Sequence, residues 1–137
     1  MIDQLTNLNW ISVSLAFVAY FLLGALWFTL FFSTPYKISL GRENQLLPNK
    51  PIFILGPALC TLVITIASAV LIYALNISSV GDAFAFSLLV GIGYLFANTV
   101  NIAINPNIPR PILYGLISGA YHLLGISIAS MIIVAMK

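Results

Sequence analysis

The sequence predicts an all-α integral membrane protein, a four-helix transmembrane bundle with antiparallel neighbours. Three observations carry that expectation. Hydrophobic residues make up 61% of the chain and charged residues only 6%, against about 25% charged in soluble domains. The mean hydropathy is +1.10. The apolar residues also gather into four runs of about 20 or more residues, long enough to cross a hydrocarbon core of about 30 Å. The charged residues Asp3, Lys37, Arg42, Glu43, Lys50, Asp82, Arg110 and Lys137 all lie outside those runs. One transmembrane domain, residues 1–137, is therefore expected, with the lipid bilayer as its main solvent.

The first run, Trp10 to Phe32, is roughly 34 Å long as a helix. The residues before it carry no Lys or Arg, so a retained helix is expected rather than a signal peptide. Trp10 and Trp27 lie near its ends and are expected as interface anchors. The loop from Ser33 to Lys50 is broken by Pro35, Gly41 and Pro48, with room for a short surface-lying segment around Tyr36 to Leu40. The second run, Pro51 to Leu75, opens on a proline suited to a first helical turn. Gly56-Pro57 predicts a kink or delayed start. Thr61, Thr65 and Ser68 form a mild stripe whose hydroxyls are expected to bond back to the helix or to a neighbour.

After the turn at Asn76 to Gly81, Asp82 is the expected N-cap of the third run, Ala83 to Ile104. Ser87, Gly91, Tyr94, Asn98, Asn101 and Asn105 recur there at three- and four-residue spacing, within an arc of roughly 80°. Those residues are expected to face inward. Asn105-Pro106 terminates the run, and the fourth extends from Ile112 to Met136. Spans at about 10–32, 51–75, 83–104 and 112–136 follow. Lys37, Arg42, Lys50 and Arg110 fall in the first and third loops and leave only Lys137 for the opposite side. The positive-inside rule then places both termini outside the cytoplasm, in a cell (inner) membrane.

In the fourth run Gly115, Ser118, Gly119, His122, Gly125 and Ala129 share an arc of roughly 120°. Small residues there allow close helix approach, and Gly115-x-x-x-Gly119 is an association motif of low specificity. Gly91 and Gly24 are further candidates for helix packing. The chain's single histidine lies near the middle of the run, where the neutral ring needs a donor and an acceptor. A polar cluster of His122 with Asn98, Tyr94 and Tyr20, extended by Asn101 and Ser118, is the candidate ligand-binding interior. The alternative is an interhelical hydrogen bond that only fixes packing.

The excluded chemistries are as informative. No Asp, Glu, Lys or Arg lies within a run, so a carboxylate relay is not expected. One histidine makes neither a metal site nor a bis-histidine haem site, so no metal or cofactor is predicted. Cys60 has no disulfide partner and reads as a small buried residue. A net charge of +2 is too small for nucleic-acid binding.

Two stretches carry a family resemblance. Asn9-Trp10 followed by Gly24-Ala25-Leu26-Trp27-Phe28, and Arg110-Pro111 followed by Gly119-Ala120-Tyr121-His122-Leu123, resemble small bacterial membrane proteins of domain of unknown function family 1761. Members of that family often follow the Trp with Tyr-Ser-Pro, where this chain has Phe28-Thr29-Leu30. They often have Asn where this chain has Ser118. The resemblance implies a multi-pass membrane protein and supplies no activity. Three classes of function stay open. One is a binding or permeation module for a small neutral solute or lipid-like molecule. Another is an accessory subunit that packs through small-residue faces against a membrane partner or in a homo-oligomer. An intramembrane enzyme with His122 as base is the least supported, because no second catalytic group is evident.

Overall fold

The architecture, seen in a computed structural model that describes residues Met1–Lys137, is entirely helical. A 3₁₀ turn over Ile2–Thr6 precedes α1 (Trp10–Leu26), which continues through a π-helical turn at Trp27–Phe31. The short α2 (Ser33–Ser39) leads to α3 (Ile52–Ala74). Next, α4 (Val80–Val90) runs through a π-helical segment, Gly91–Phe96, into α5 (Ala97–Ala103), and α6 (Pro111–Ala135) ends the fold. Four stretches are long and apolar enough to cross a membrane: Trp10–Phe31, Ile52–Ala74, Val80–Ala103 and Pro111–Ala135.

The fold is organised around α6. Its apolar window is 56% buried, against 22% to 33% for the other spans, which makes it the central helix. The first span and α3 pack against it and against each other, while the third span leans on α6. Small residues on more than one face of α6 permit this. Gly115, Ser118, Gly119, Gly125, Ser127, Ala129 and Ser130 are all buried, and each keeps the neighbouring backbone within reach.

Asn9 starts α1. Its side-chain oxygen accepts hydrogen bonds from the Ile11 and Ser12 amides, satisfying two donors that a helix start leaves unpaired. Its amide nitrogen donates to the Met136 carbonyl at 2.8 Å, and its backbone N–H donates to the Tyr73 hydroxyl at 3.2 Å. One residue thus joins the start of α1 to the ends of α3 and α6. From there Ser12, Val13, Ala16 and Tyr20 are buried at helical spacing.

Burial along α3 begins only at Thr61, followed by Thr65, Ser68, Ala69 and Ile72. Thr65 and Ser68 donate to carbonyls one turn back, at 2.8 and 2.7 Å. The part before Thr61, with Pro57 inside the helix, is mostly exposed. Cys60 belongs to that exposed face, contrary to the buried position expected of it. The helix start at α4 also differs from expectation. Ser79 is the N-cap, accepting from the Asp82 amide at 3.0 Å and donating to the Asp82 carboxylate at 2.7 Å. Asp82 therefore sits in the first turn and accepts from the hydroxyl of the cap instead of capping the helix itself.

The third span departs furthest from the sequence pattern. Ser87 and Gly91 are buried, but Tyr94 is 70% exposed and Asn98 and Asn101 are exposed too. The cause is the π segment, which inserts one extra residue into the helical register. Beyond it the buried or half-buried row is Phe96, Thr99, Val100 and Ala103. The amides that straight-helix geometry turns inward are rotated outward. Trp27 is corrected as well: it is 9% exposed and part of the core, whereas Trp10, at 49%, retains the exposure of an interface anchor.

At the end carrying the basic loops, α2 docks on α6. The Tyr36 ring packs 4.8 Å from Phe28 and 5.7 Å from Tyr114. Burial, reinforced by Tyr114, pushes the Tyr36 hydroxyl up to about 12, so it stays protonated. The Arg110 amide donates to the Ser39 carbonyl at 3.2 Å, and its guanidinium lies 3.4 Å from Glu43. Gly41 adopts φ +65° beside Pro109, a backbone state that favours glycine.

Asn9→Ala removes the cap and the tie to Met136 together. We expect a loss of about 1–2 kcal/mol, read as a lower unfolding midpoint in mixed micelles. Asn9→Asp keeps the acceptor but not the donor, so its loss should be smaller.

Candidate functional site

The site forms where α1 crosses α6 near the middle of the bundle. Tyr20 is fully buried, and its hydroxyl lies 2.8 Å from His122 Nδ1 and 3.3 Å from the His122 carbonyl oxygen. The phenol engages Nδ1 in either imidazole tautomer, donating to it or accepting from it, and Nε2 is the ring nitrogen left over. No group of the chain bonds Nε2, and the His122 ring is only partly buried. One turn before it on the same helix face, Ser118 is buried with its Oγ unpartnered. The site therefore has one held nitrogen, one free nitrogen and, inside the packing, one unpaired hydroxyl.

Aromatic packing holds this geometry. Tyr121 lies 5.4 Å from Tyr20, 4.7 Å from His122 and 5.3 Å from Phe28, ring centre to ring centre. Its hydroxyl lies 3.4 Å from Thr61 Oγ1, which brings α3 into the cluster. Trp27 closes the lower side, its indole N–H donating to the Ile117 carbonyl at 3.0 Å and its ring 4.3 Å from Phe32. A buried indole finds such a partner because its N–H is costly to leave bare.

The glycines explain how helices carrying rings this large approach so closely. A Cβ on Gly125 would overlap the Tyr20 ring, and one on Gly24 would lie 2.8 Å from the Tyr121 hydroxyl. On the other side of α6, a Cβ on Gly119 would lie 2.5 Å from Phe96, and one on Gly115 would lie 3.0 Å from Val100. Gly91 meets Leu123 in the same way, at 2.6 Å. All five candidate packing glycines sit at contacts within the chain. Ser87 and Ser127, 3.0 Å apart through their hydroxyls, add a polar link between α4 and α6.

Of the residues expected to form one cluster, the fold brings together Tyr20 and His122, with Ser118 one turn along the same helix. It separates Tyr94, Asn98 and Asn101 from them, for the register reason given above. Tyr121, Thr61 and Phe96 were not among the expected site residues. Tyr121 had a signal, standing beside His122 in the Gly-Ala-Tyr-His run; Thr61 and Phe96 had none strong enough to single them out. Two surface recesses, of about 450 and 430 Å³, lie elsewhere. The first is an apolar groove between the N-terminal turn and α3, lined by Ile2, Leu5, Val63 and Ile66 among others. The second lies at Asn49, Pro51, Ile54 and Leu55.

The sequence pattern of the family described as "Protein of unknown function (DUF1761)" matches residues 11–134. No curated protein and no solved structure matches the chain. The two stretches that carry the family resemblance face each other across the α1–α6 contact, through Gly24 on Tyr121 and Trp27 on the Ile117 carbonyl.

Gly125→Ala should be the more damaging change at this contact, costing about 1–3 kcal/mol by forcing Tyr20 aside. Tyr20→Phe keeps the ring and loses one hydrogen bond, about 0.6 and at most about 1.7 kcal/mol. Equilibrium unfolding in mixed micelles ranks the two, and a neutral Gly125→Ala would contradict the close contact.

Proposed function

The chain belongs to the DUF1761 family, whose description names no activity, and on that premise we propose that it is a membrane-embedded binding module. Its ligand is a small neutral or lipid-like molecule with a hydrogen-bonding group, held at His122 from the bilayer side. One observation carries this reading: Nδ1 of His122 is engaged by Tyr20 while Nε2 has no partner in the chain. An ionisable side chain within a membrane span is costly and is expected to have a partner. Nε2 offers an N–H or a lone pair according to the tautomer, and a ligand hydroxyl or amide, which both donates and accepts, complements it in either state. Ser118 Oγ, one turn away, is also unpaired but lies inside the packing, so the reading rests on Nε2 alone.

The packing argues for entry from the lipid and against a water-filled path through the bundle. Tyr20, Trp27 and Tyr121 are buried there and occupy the space a polar channel requires. We place the protein in a cell (inner) membrane, with the basic loops at the cytoplasmic face and both termini opposite. A second reading, an accessory subunit that packs against a partner or another copy, is favoured by that same filled interior.

The binding reading is tested by extracting small molecules from wild type, His122→Gln and His122→Leu purified in mild detergent and comparing them by mass spectrometry. We expect a retained neutral molecule whose occupancy falls about tenfold in His122→Leu, because leaving its polar group unpaired costs about 1–3 kcal/mol. His122→Gln, with an amide N–H, should recover part of it. Equal retention by all three overturns the reading. Orientation is checked independently: a reporter fused after Lys137 should be active only outside the cytoplasm.

A further inference from the structure

Polar side chains that face lipid in this protein usually satisfy themselves. The hydroxyl of Ser14 donates to the Trp10 carbonyl and that of Thr29 to the Ala25 carbonyl. Asn105, beyond the end of α5, turns its amide back to the Ile102 carbonyl at 2.7 Å. Asn98 is different. Its side chain is exposed on the outer face of the third span together with those of Tyr94 and Asn101, no hydrogen bond within the chain engages any of the three, and Asn98 is the deeper of the two amides.

Depth makes this consequential. In the span Val80–Ala103, Asn98 lies roughly 10 Å from the midpoint at 1.5 Å per residue. That is inside a hydrocarbon half-thickness of about 15 Å, where no water satisfies an amide. Asn101 is on the same exposed face one turn further out, and Tyr94 one turn further in. Between them the surface is low: Ala97 is exposed, and a Cβ on Gly93 would meet nothing within 4 Å. A second helix could approach closely there.

We propose that two copies of this chain pair through that face, the Asn98 amide of each hydrogen-bonded to Asn98 of the other. A carboxamide carries both donors and an acceptor, so it complements itself. Two copies inserted with the same orientation hold Asn98 at the same depth. A two-fold axis along the membrane normal therefore brings the residue to its twin, as an isologous contact requires. No other partner has that match guaranteed. The exposed half of α3, with Ile52, Phe53, Ile54, Leu55 and Leu59, is apolar and is satisfied by lipid. The pairing is independent of any ligand at His122, because it uses the outward face of the third span and the His122 contacts are with α1.

The test uses the full chain in a Cys60→Ala background, in native membranes. Ala97→Cys keeps both amides and should give an oxidatively cross-linked dimer, while Leu59→Cys on α3 should give none. In vesicles, energy transfer between labelled copies should report association that falls on lipid dilution. Asn98→Leu should weaken that association about threefold to twentyfold, matching the range measured for membrane hydrogen bonds. Because Asn98 faces outward, helical content should stay unchanged in that variant, so lost association is not lost folding. The proposal is overturned by a chain that is monomeric at every lipid-to-protein ratio. Cross-linking through Leu59→Cys instead of Ala97→Cys, dimerisation unaffected by Asn98→Leu, or Ala97→Cys linking only to a different protein would overturn it as well.

Discussion

In a bilayer core no water is available to the Tyr20 hydroxyl, and the contact between α1 and α6 is built around satisfying it. The phenol reaches His122 only because Gly125 leaves room for its ring. Tyr121 lies against the same ring, in space that Gly24 leaves open on the facing helix. Two aromatic residues and two glycines thus interlock as knobs and recesses, with a hydrogen bond at their centre. The hydrogen bond by itself is a modest contribution. Its importance is geometric: it sets the depth at which the two helices meet, and the Trp27 bond to the Ile117 carbonyl sets that depth a second time, nearer the membrane surface.

The same crossing determines which chemistry is left over. Engaging Nδ1 of His122 gives the ring one orientation and leaves Nε2 as the nitrogen without a partner in the chain. The proposed binding reading rests on that atom. The filled interior and the lipid-facing amide of Asn98 point to a protein whose polar groups work at its boundary with the bilayer rather than along an internal path. A ligand at His122 and a second copy at Asn98 would occupy different surfaces.

Much of this was legible from residue types. Hydrocarbon thickness and the run of apolar residues define the four spans, and His122 at mid-span with small residues around it marks α6 as the helix others must approach. Tyr20, on the first run, is a candidate partner for that histidine. The inward assignment of Tyr94, Asn98 and Asn101 failed for a specific reason. It assumed one uninterrupted helical repeat, and the π segment at Gly91–Phe96 breaks that repeat by one residue. Packing supplies the motive for the break: Phe96 fits over Gly119, and the extra residue brings it there. Trp27 was misassigned because a tryptophan near a span end normally meets the interface, whereas this one has a carbonyl to bond on the neighbouring helix.

Composition and periodicity therefore determined the solvent and the number of spans, because these follow from lengths and burial preferences that each segment carries alone, whereas the position of α6 at the centre is a result of packing. Only the tertiary structure decided which face of the third span turns inward and which His122 nitrogen is held. It also decided whether the family's two signature stretches meet. Those outcomes depend on contacts between helices: Phe96 over Gly119 for the third span, and Tyr20 with His122 and Gly125, about 100 residues apart, for the α1–α6 crossing. A one-residue change of register within a helix also costs little locally, so packing rather than local preference selects it.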